Sequence, residues 1–388
     1  MHSGDPNGAR QALLPAGLQD VLYPDAAHEA AIVEKLIRHV SRFGYARVKP
    51  PLIEFEDSLL AGPGGQVSEQ TFRLMDPISQ RMMGLRADMT PQVARVAVSR
   101  LAQEPRPLRL CYAGEVLRVR GSQLRPERQF TQVGVELIGT ASRRADAEAV
   151  FLASDALLSV GVEGLSVDLA LPTLVGRLFE VLGLSEQERQ ELRAALDRKD
   201  AAAVQQAAGR HADLFDGLLR ASGLADEALE RLMALPLPES VLGEIERLSE
   251  VIGEVRRMNP ELVLTVDCVD HRGFEYQTGL SFTLFASGVR GELGRGGRYD
   301  APRGEAEGEP AIGFTLFMDS VLRALPIPSE GRRIYLPSDS DGAFANALRA
   351  VGWITVTALD ESADVYSEAR RLKCTHLLVA DRIEEVED

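Results

Sequence analysis

Residues 128–139 read RQFTQVGVELIG, an alternation that only an extended strand satisfies. Side chains two and four apart on a strand share one face. Val133, Val135 and Leu137 therefore point together into a core, and Gln132 and Glu136 sit together on the opposite face. A half-buried sheet prefers apolar residues at such positions, so an amide beside a carboxylate asks for a reason. A second strand-like segment, LRLCYAGEVLRV, precedes this one and is joined to it by the polar loop GSQLRPE, which makes Arg118 a neighbour. Asp88 and Thr90 in LRADMT, and Arg272 in HRGFEYQTG, can join the same face. Together these groups offer anions for an ammonium, cations for a carboxylate, and a second acid for a basic side chain. From the residues alone two readings stand side by side: a pocket for a zwitterionic amino acid, or a buried salt-bridge network.

The rest of the chain alternates helix and strand signals. Residues 25–43 carry apolar residues at helical spacing (Ile32, Val33, Leu36, Ile37, Val40) and are stopped by Gly44. RVKPPLIEF is extended, because paired prolines exclude helix. TFRLM, a turn at Asp76-Pro77 and RMMGLR predict a hairpin over 71–86; residues 88–101 and 145–160 read as helices. From 172 to 258 β-branched residues thin out and Ala, Leu, Glu, Gln and Arg dominate, which predicts a helical insertion. Strand character returns at LVLTVD, EYQTGLSFTLFA and AIGFTLF. Residues 332–388 predict a small α/β unit ending without a further strand, and residues 1–12 a disordered start.

Several function classes are set aside. The chain has no GxGxxG, Walker loop, HExxH or nucleophile elbow, and its six histidines show no ligand spacing, so neither a metal nor a cofactor is expected. Gly62, Gly64 and Gly65 read as a flexible connection, and His271 as a structural histidine. Acidic residues exceed basic ones by 58 to 43, a formal charge of -15, which disfavours a nucleic-acid footprint, tRNA included. Three scattered cysteines suit a reducing cytoplasm, and neither a signal peptide nor a membrane span is expected.

Several motifs in series carry a resemblance. LRADMT resembles the LRPE-G-T segment of histidyl-tRNA synthetases, and CYAGEVLRVRGSQLRPERQFTQVGVELIG is similar to their motif 2. HRGFEYQTG looks like their RGLDYY segment, GRGGRYD like AGGRYD, PAIGFTLFMDSV like motif 3, and the first helix with RVKPPLIEF like motif 1, the dimer interface. The likeness covers residues 13–325. It implies an α+β fold: a class II synthetase-like antiparallel sheet flanked by helices (13–171 and 259–325), a helical insertion (172–258) and a small C-terminal α/β domain (332–388). It also implies that Asp88, Thr90 and Gln132 receive the α-amino group of L-histidine and that Glu136 accepts from the imidazole. Arg118 and Arg272 would then lie near the carboxylate, with Tyr276 and Tyr299 lining the pocket.

The nucleotide side departs from the synthetase pattern. Arg118-Val119-Arg120 stands where Arg-x-Glu faces ATP, and Phe317-Met318-Asp319-Ser320 where Gly-Leu-Glu-Arg is usual, so Arg120, Phe317 and Ser320 mark a degenerate ATP site. Gln277 replaces the second tyrosine of RGLDYY. The tail resembles a shortened anticodon-binding domain. This spelling is similar to the ATP phosphoribosyltransferase regulatory-subunit family. That likeness implies a self-associating, non-catalytic chain that joins a short-form catalytic subunit in a hetero-octamer and brings histidine feedback to the first step of histidine biosynthesis. The competing expectations are a working histidyl-tRNA synthetase and a synthetase-like tRNA-binding sensor.

Overall fold

A computed structural model describes residues 13–122, 125–270, 277–303, 306–326, 331–362, 364–380 and 382–386. Two compact units emerge. One comprises Glu29–Pro326 with the segment up to Val21; the other comprises Leu22–His28 with Ile327–Asp388.

In chain order the first unit contains α1 (Asp25–Ser41, from Glu29 onward), β1 (Ala46–Arg47), β2 (Ile53–Phe55), β3 (Arg73–Met75), β4 (Met82–Leu85) and α2 (Thr90–Ser99). It continues with β5 (Leu108–Leu117), β6 (Gln129–Ile138), α3 (Arg143–Val160), β7 (Leu165–Ala170), α4 (Pro172–Val181), β8 (Gly223–Leu224) and α5 (Glu239–Met258). Then come β9 (Val263–Val266), β10 (Ser281–Ala286), β11 (Gly294–Arg303), β12 (Ala306–Phe317) and α6 (Met318–Arg323). Nine strands form one sheet in the order β1-β5-β6-β12-β11-β10-β7-β9-β8. The run from β5 to β7 is antiparallel throughout, as expected, while β1 on β5 and β9 on β7 are parallel additions.

The alternation of β6 places its side chains as its sequence demands. Val133, Val135 and Leu137 enter the large core with α1 and α3, whereas Phe130 and Ile138 join a smaller core under α2. α3 has clear local causes: the Ser142 hydroxyl accepts from the Arg144 amide at its start, and Gly161 ends it at φ 104°. Residues 172–258 are largely helical, yet they bury Leu174, Phe215 and Ile252 in the same core as the sheet and add the short edge strand β8.

Two expectations need correction, and one strand lies where none is named from the sequence: β11 runs through GRGGRYD. A side chain at Gly294 or Gly296 would sit 2.5 and 2.4 Å from the carbonyl oxygens of Thr315 and Gly313, so only glycine lets these strands close up. The stretch from Gly62 is not a loose connection but a 3-10 helix, Gly62–Gln70, and a Cβ at Gly64 would lie 2.1 Å from the Leu59 carbonyl oxygen. The terminal unit does gain a last strand. Its sheet runs β14 (Ile354–Thr357), β13 (Arg333–Leu336), β15 (His376–Val379), β16 (Arg382–Glu385), with β16 antiparallel to β15. Residues 1–12 lie outside the described residues. No described helix is long and apolar enough to cross a membrane.

Candidate functional site

One face of the β6–β12–β11 portion of the sheet, roofed by the start of α2 and the β5–β6 loop, encloses a cavity of about 240 Å³. That is slightly below the roughly 300–1,000 Å³ of drug-sized sites and suits a ligand the size of an amino acid. Strand register builds it. Gln132, Gly134 and Glu136 follow one another on β6, opposite Phe317, Thr315 and Gly313 on β12. Gly297 faces Gly313 from β11. The glycines are the floor: a methyl at Gly313 would lie 2.0 Å from Glu136 Oε2, and one at Gly297 2.4 Å from Gln277 Oε1.

Glu136 is 1% exposed and has no cationic partner among the described residues. Hydroxyls hold it instead: Tyr299 donates to Oε2 at 2.8 Å and Tyr112 to Oε1 at 3.3 Å. The Tyr112 hydroxyl is itself shared with Thr315 (2.7 Å) and Thr90 (3.3 Å). Burial pushes the Glu136 carboxyl up to about 8; the nearby charge of Asp88 adds to this, and the hydroxyls of Tyr299, Thr90 and Tyr112 oppose it.

Gln132 accepts the Met89 amide through Oε1 at 3.0 Å, which orients its NH2. Asp88 Oδ1 accepts the Thr90 amide at 3.4 Å. At the other end Arg118, half-buried, donates only to the Ala87 carbonyl (3.3 Å) and makes no ion pair among the described residues. Burial, with Arg295 and Arg125 nearby, lowers its pKa to about 10 against the pull of Asp88, so it stays a cation at neutral pH. Gln277 donates to the Gly296 carbonyl at 3.3 Å, and its own Oε1 is buried without a partner among the described residues.

The structure thus gathers Asp88, Thr90, Arg118, Gln132, Glu136, Gln277 and Tyr299 around one cavity. Arg272 and Tyr276 lie outside the described residues. Among the described residues Glu136 and Arg118 make no ion pair with each other. Arg120 and Phe317 also line the cavity; Ser320 lies behind it on α6, 1% exposed. Among the described residues no group of three or more His, Cys, Asp or Glu side chains is arranged to hold a metal.

Sequence reasoning missed Tyr112, Thr315 and Arg125. The first two follow from strand parity once the register Tyr112↔Gly134↔Thr315 is known. Arg125 sits in what reads as a polar loop, and nothing local announces its role.

The raised pKa of Glu136 has a measurable consequence. The unfolded chain loses this proton near 4.5 and the folded chain near 8, so the folded state binds more protons between them. Stability should therefore fall as pH rises from about 4.5 to about 8, at up to about 1.4 kcal/mol per pH unit from this group, and level off above. Denaturant midpoints between pH 5 and 9 should show Glu136→Gln lacking that slope; parallel curves would mean that Glu136 is ionised in the folded chain.

Comparison with known proteins places the arrangement. The family model described as histidyl-tRNA synthetase matches residues 17–321. A relative from Rhodospirillum centenum, called ATP phosphoribosyltransferase regulatory subunit, is 55% identical over 384 residues, covering 99% of each chain. One from Paramagnetospirillum magneticum with the same name is 55% identical over 379 residues, covering 98% of this chain and 99% of its own. A crystal structure from Bacillus halodurans, titled as an ATP phosphoribosyltransferase regulatory subunit/histidyl-tRNA synthetase, superposes with a TM-score of 0.80. It covers 93% of this chain and 96% of its own, and at 24% identity it speaks for the fold.

Proposed function

This chain belongs to the histidyl-tRNA synthetase family, among the ATP phosphoribosyltransferase regulatory subunits, and on that premise we propose that it senses L-histidine for a separate catalytic subunit. The observation that carries the reading is the two-ended cavity. A buried acid caged by hydroxyls stands at one end and, at the other, a guanidinium with no ion pair among the described residues, with Asp88, Thr90 and Gln132 also lining the cavity.

Histidine matches that pattern group by group. Its ammonium meets Asp88, Thr90 and Gln132, and its carboxylate meets Arg118. Its ring N–H meets Glu136. A free imidazole titrates near 6.5 and Glu136 up to about 8, so the two share one proton at little cost wherever it rests. Ligand chemistry of this kind needs no cofactor and leaves the chain without catalysis of its own. Arg120, Phe317 and Ser320, where the synthetase pattern has groups that hold ATP, support the same conclusion. Regulation then follows from population shift: histidine favours whichever state of the assembly binds it better, a coupling of typically about 1–3 kcal/mol.

The partner in this reading is the short-form phosphoribosyltransferase, in a hetero-octamer of equal parts, with this chain self-associating as a dimer. Leu52, Met75, Ile78 and Met82, exposed around the β2–β4–β3 sheet, are apolar surface that supports self-association.

Mixing the chain with the short catalytic subunit of the same organism should give a defined hetero-oligomer on gel filtration, form phosphoribosyl-ATP and be inhibited by histidine. Glu136→Ala should assemble normally yet need about ten- to a hundredfold more histidine, because a hydrogen bond to a charged group, worth about 1.5–3 kcal/mol, is gone. No complex, or the same activity and histidine sensitivity with and without this chain, would overturn the assignment. Robust histidine-dependent ATP–pyrophosphate exchange would point to a synthetase.

A further inference from the structure

Arg125 leaves the polar loop between β5 and β6 and turns inward. Its guanidinium carbon lies 3.8 Å from the centroid of the Phe317 ring and 5.1 Å from that of Phe130. The two rings meet edge to face at 6.0 Å. Arg125 Nε donates to Asp319 Oδ2 at 3.0 Å, and both side chains are only 9% exposed. Its Nη2 reaches the Ser320 hydroxyl at 3.5 Å and the Glu292 carbonyl at 3.4 Å.

A planar guanidinium at 3.8 Å covers the ring face that a flat heteroaromatic base would use for stacking. The substitutions around it are mutually consistent. Phe317 supplies the ring, the short Ser320 side chain leaves room for a guanidinium arriving from the loop, and Asp319 neutralises it. A ligand wanting this slot must break a nearly buried ion pair, leaving Asp319, among the described residues, with Arg323 alone, 3.8 Å away.

We infer that Arg125 is the specificity-determining residue of the cavity: it occupies the stacking face of Phe317 and so shuts the slot against a nucleoside base. This rests on reading the neighbouring cavity as a histidine site. It adds that exclusion of the nucleotide is an active fit, not only the loss of phosphate-binding groups, and that one side chain from the loop between β5 and β6 enforces it.

Adenosine is the probe, because it is uncharged and gains nothing from removal of a cation except access. Equilibrium dialysis of the full chain with labelled adenosine should find no saturable binding at millimolar concentration to the unmodified protein. Arg125→Ala should bind it about ten- to a hundredfold more tightly, the range expected when one base stacks on one ring, with histidine affinity unchanged. If Arg125→Ala does not fold, Asp319→Ala, which releases the guanidinium but keeps its stem, should show a smaller gain of the same sign. A folded variant that binds histidine normally but adenosine no better than the parent overturns the inference, as does strong adenosine binding by the parent. Absence of histidine binding in parent and variant alike would instead fell the histidine reading and leave the adenosine comparison to decide on Arg125.

Discussion

Asp146→Ala is expected to destabilise the first unit by about 3–5 kcal/mol, the cost of stranding buried charge. Asp146, fully buried near the start of α3, holds two guanidiniums. Arg298 Nε approaches Oδ1 at 2.6 Å, and Arg247 Nε donates to Oδ2 at 2.7 Å. Those arginines also donate to the chain before α3: Arg298 to the carbonyls of Thr140 and Ser142 at 2.9 and 3.0 Å, Arg247 to that of Ala141 at 2.9 Å. One carboxylate therefore ties together α3, β11 beside Tyr299, and α5 at the end of the helical insertion. Alanine leaves the Arg298 side chain, only 8% exposed, without the carboxylate it faces. Asp146→Asn, which keeps the shape and part of the hydrogen bonding, should cost less. Urea denaturation of the three proteins measures this; a loss below about 1 kcal/mol for alanine would mean that the pair behaves as a surface ion pair does.

Gly313→Ala is expected to abolish histidine binding, a loss of more than about a hundredfold, beyond what removing the Glu136 carboxylate does. The added methyl would lie 2.0 Å from Glu136 Oε2 and 2.4 Å from the Val135 carbonyl oxygen. The carboxylate can swing away only by giving up the Tyr299 hydroxyl, and the backbone carbonyl cannot move without parting β12 from β6. Overpacking of this kind also costs about 1–3 kcal/mol of stability. Gly297→Ala, one strand over, is the control: its nearest neighbours are all atoms of the Gln277 side chain, which can rotate aside. Calorimetric titration with histidine should separate the two variants clearly. Equal, undiminished affinity in both would mean that the ligand does not approach Glu136.

What could be read before any fold was known came from periodicity and punctuation. The parity of 130–138 puts Gln132 and Glu136 on one face, and apolar residues at helical spacing over 25–43, stopped by Gly44, mark a helix. Such signals are local: they depend on residues a few positions apart. β11 was invisible because its glycines have no strand preference and are required only by the partner strand pressing against them. The same holds for the last strand, β16, whose partner β15 is what makes it extended.

The candidate site divides along the same line. Motif residues named its polar groups, but not that hydroxyls rather than arginines would cage Glu136, nor that Arg118 would make no ion pair among the described residues. Those facts depend on register across β5, β6, β12 and β11, where a residue's partner lies as far away as Tyr112 from Thr315. Arg125 is the extreme case. A loop arginine reads as solvated charge from its neighbours, and only the packing of Phe317, Asp319 and Ser320, nearly two hundred residues later, gives it a ring to lie on and an acid to meet. The alphabet of the cavity was written in the chain; its shape, its electrostatics and its closed side arise from contacts between segments that share no local signal.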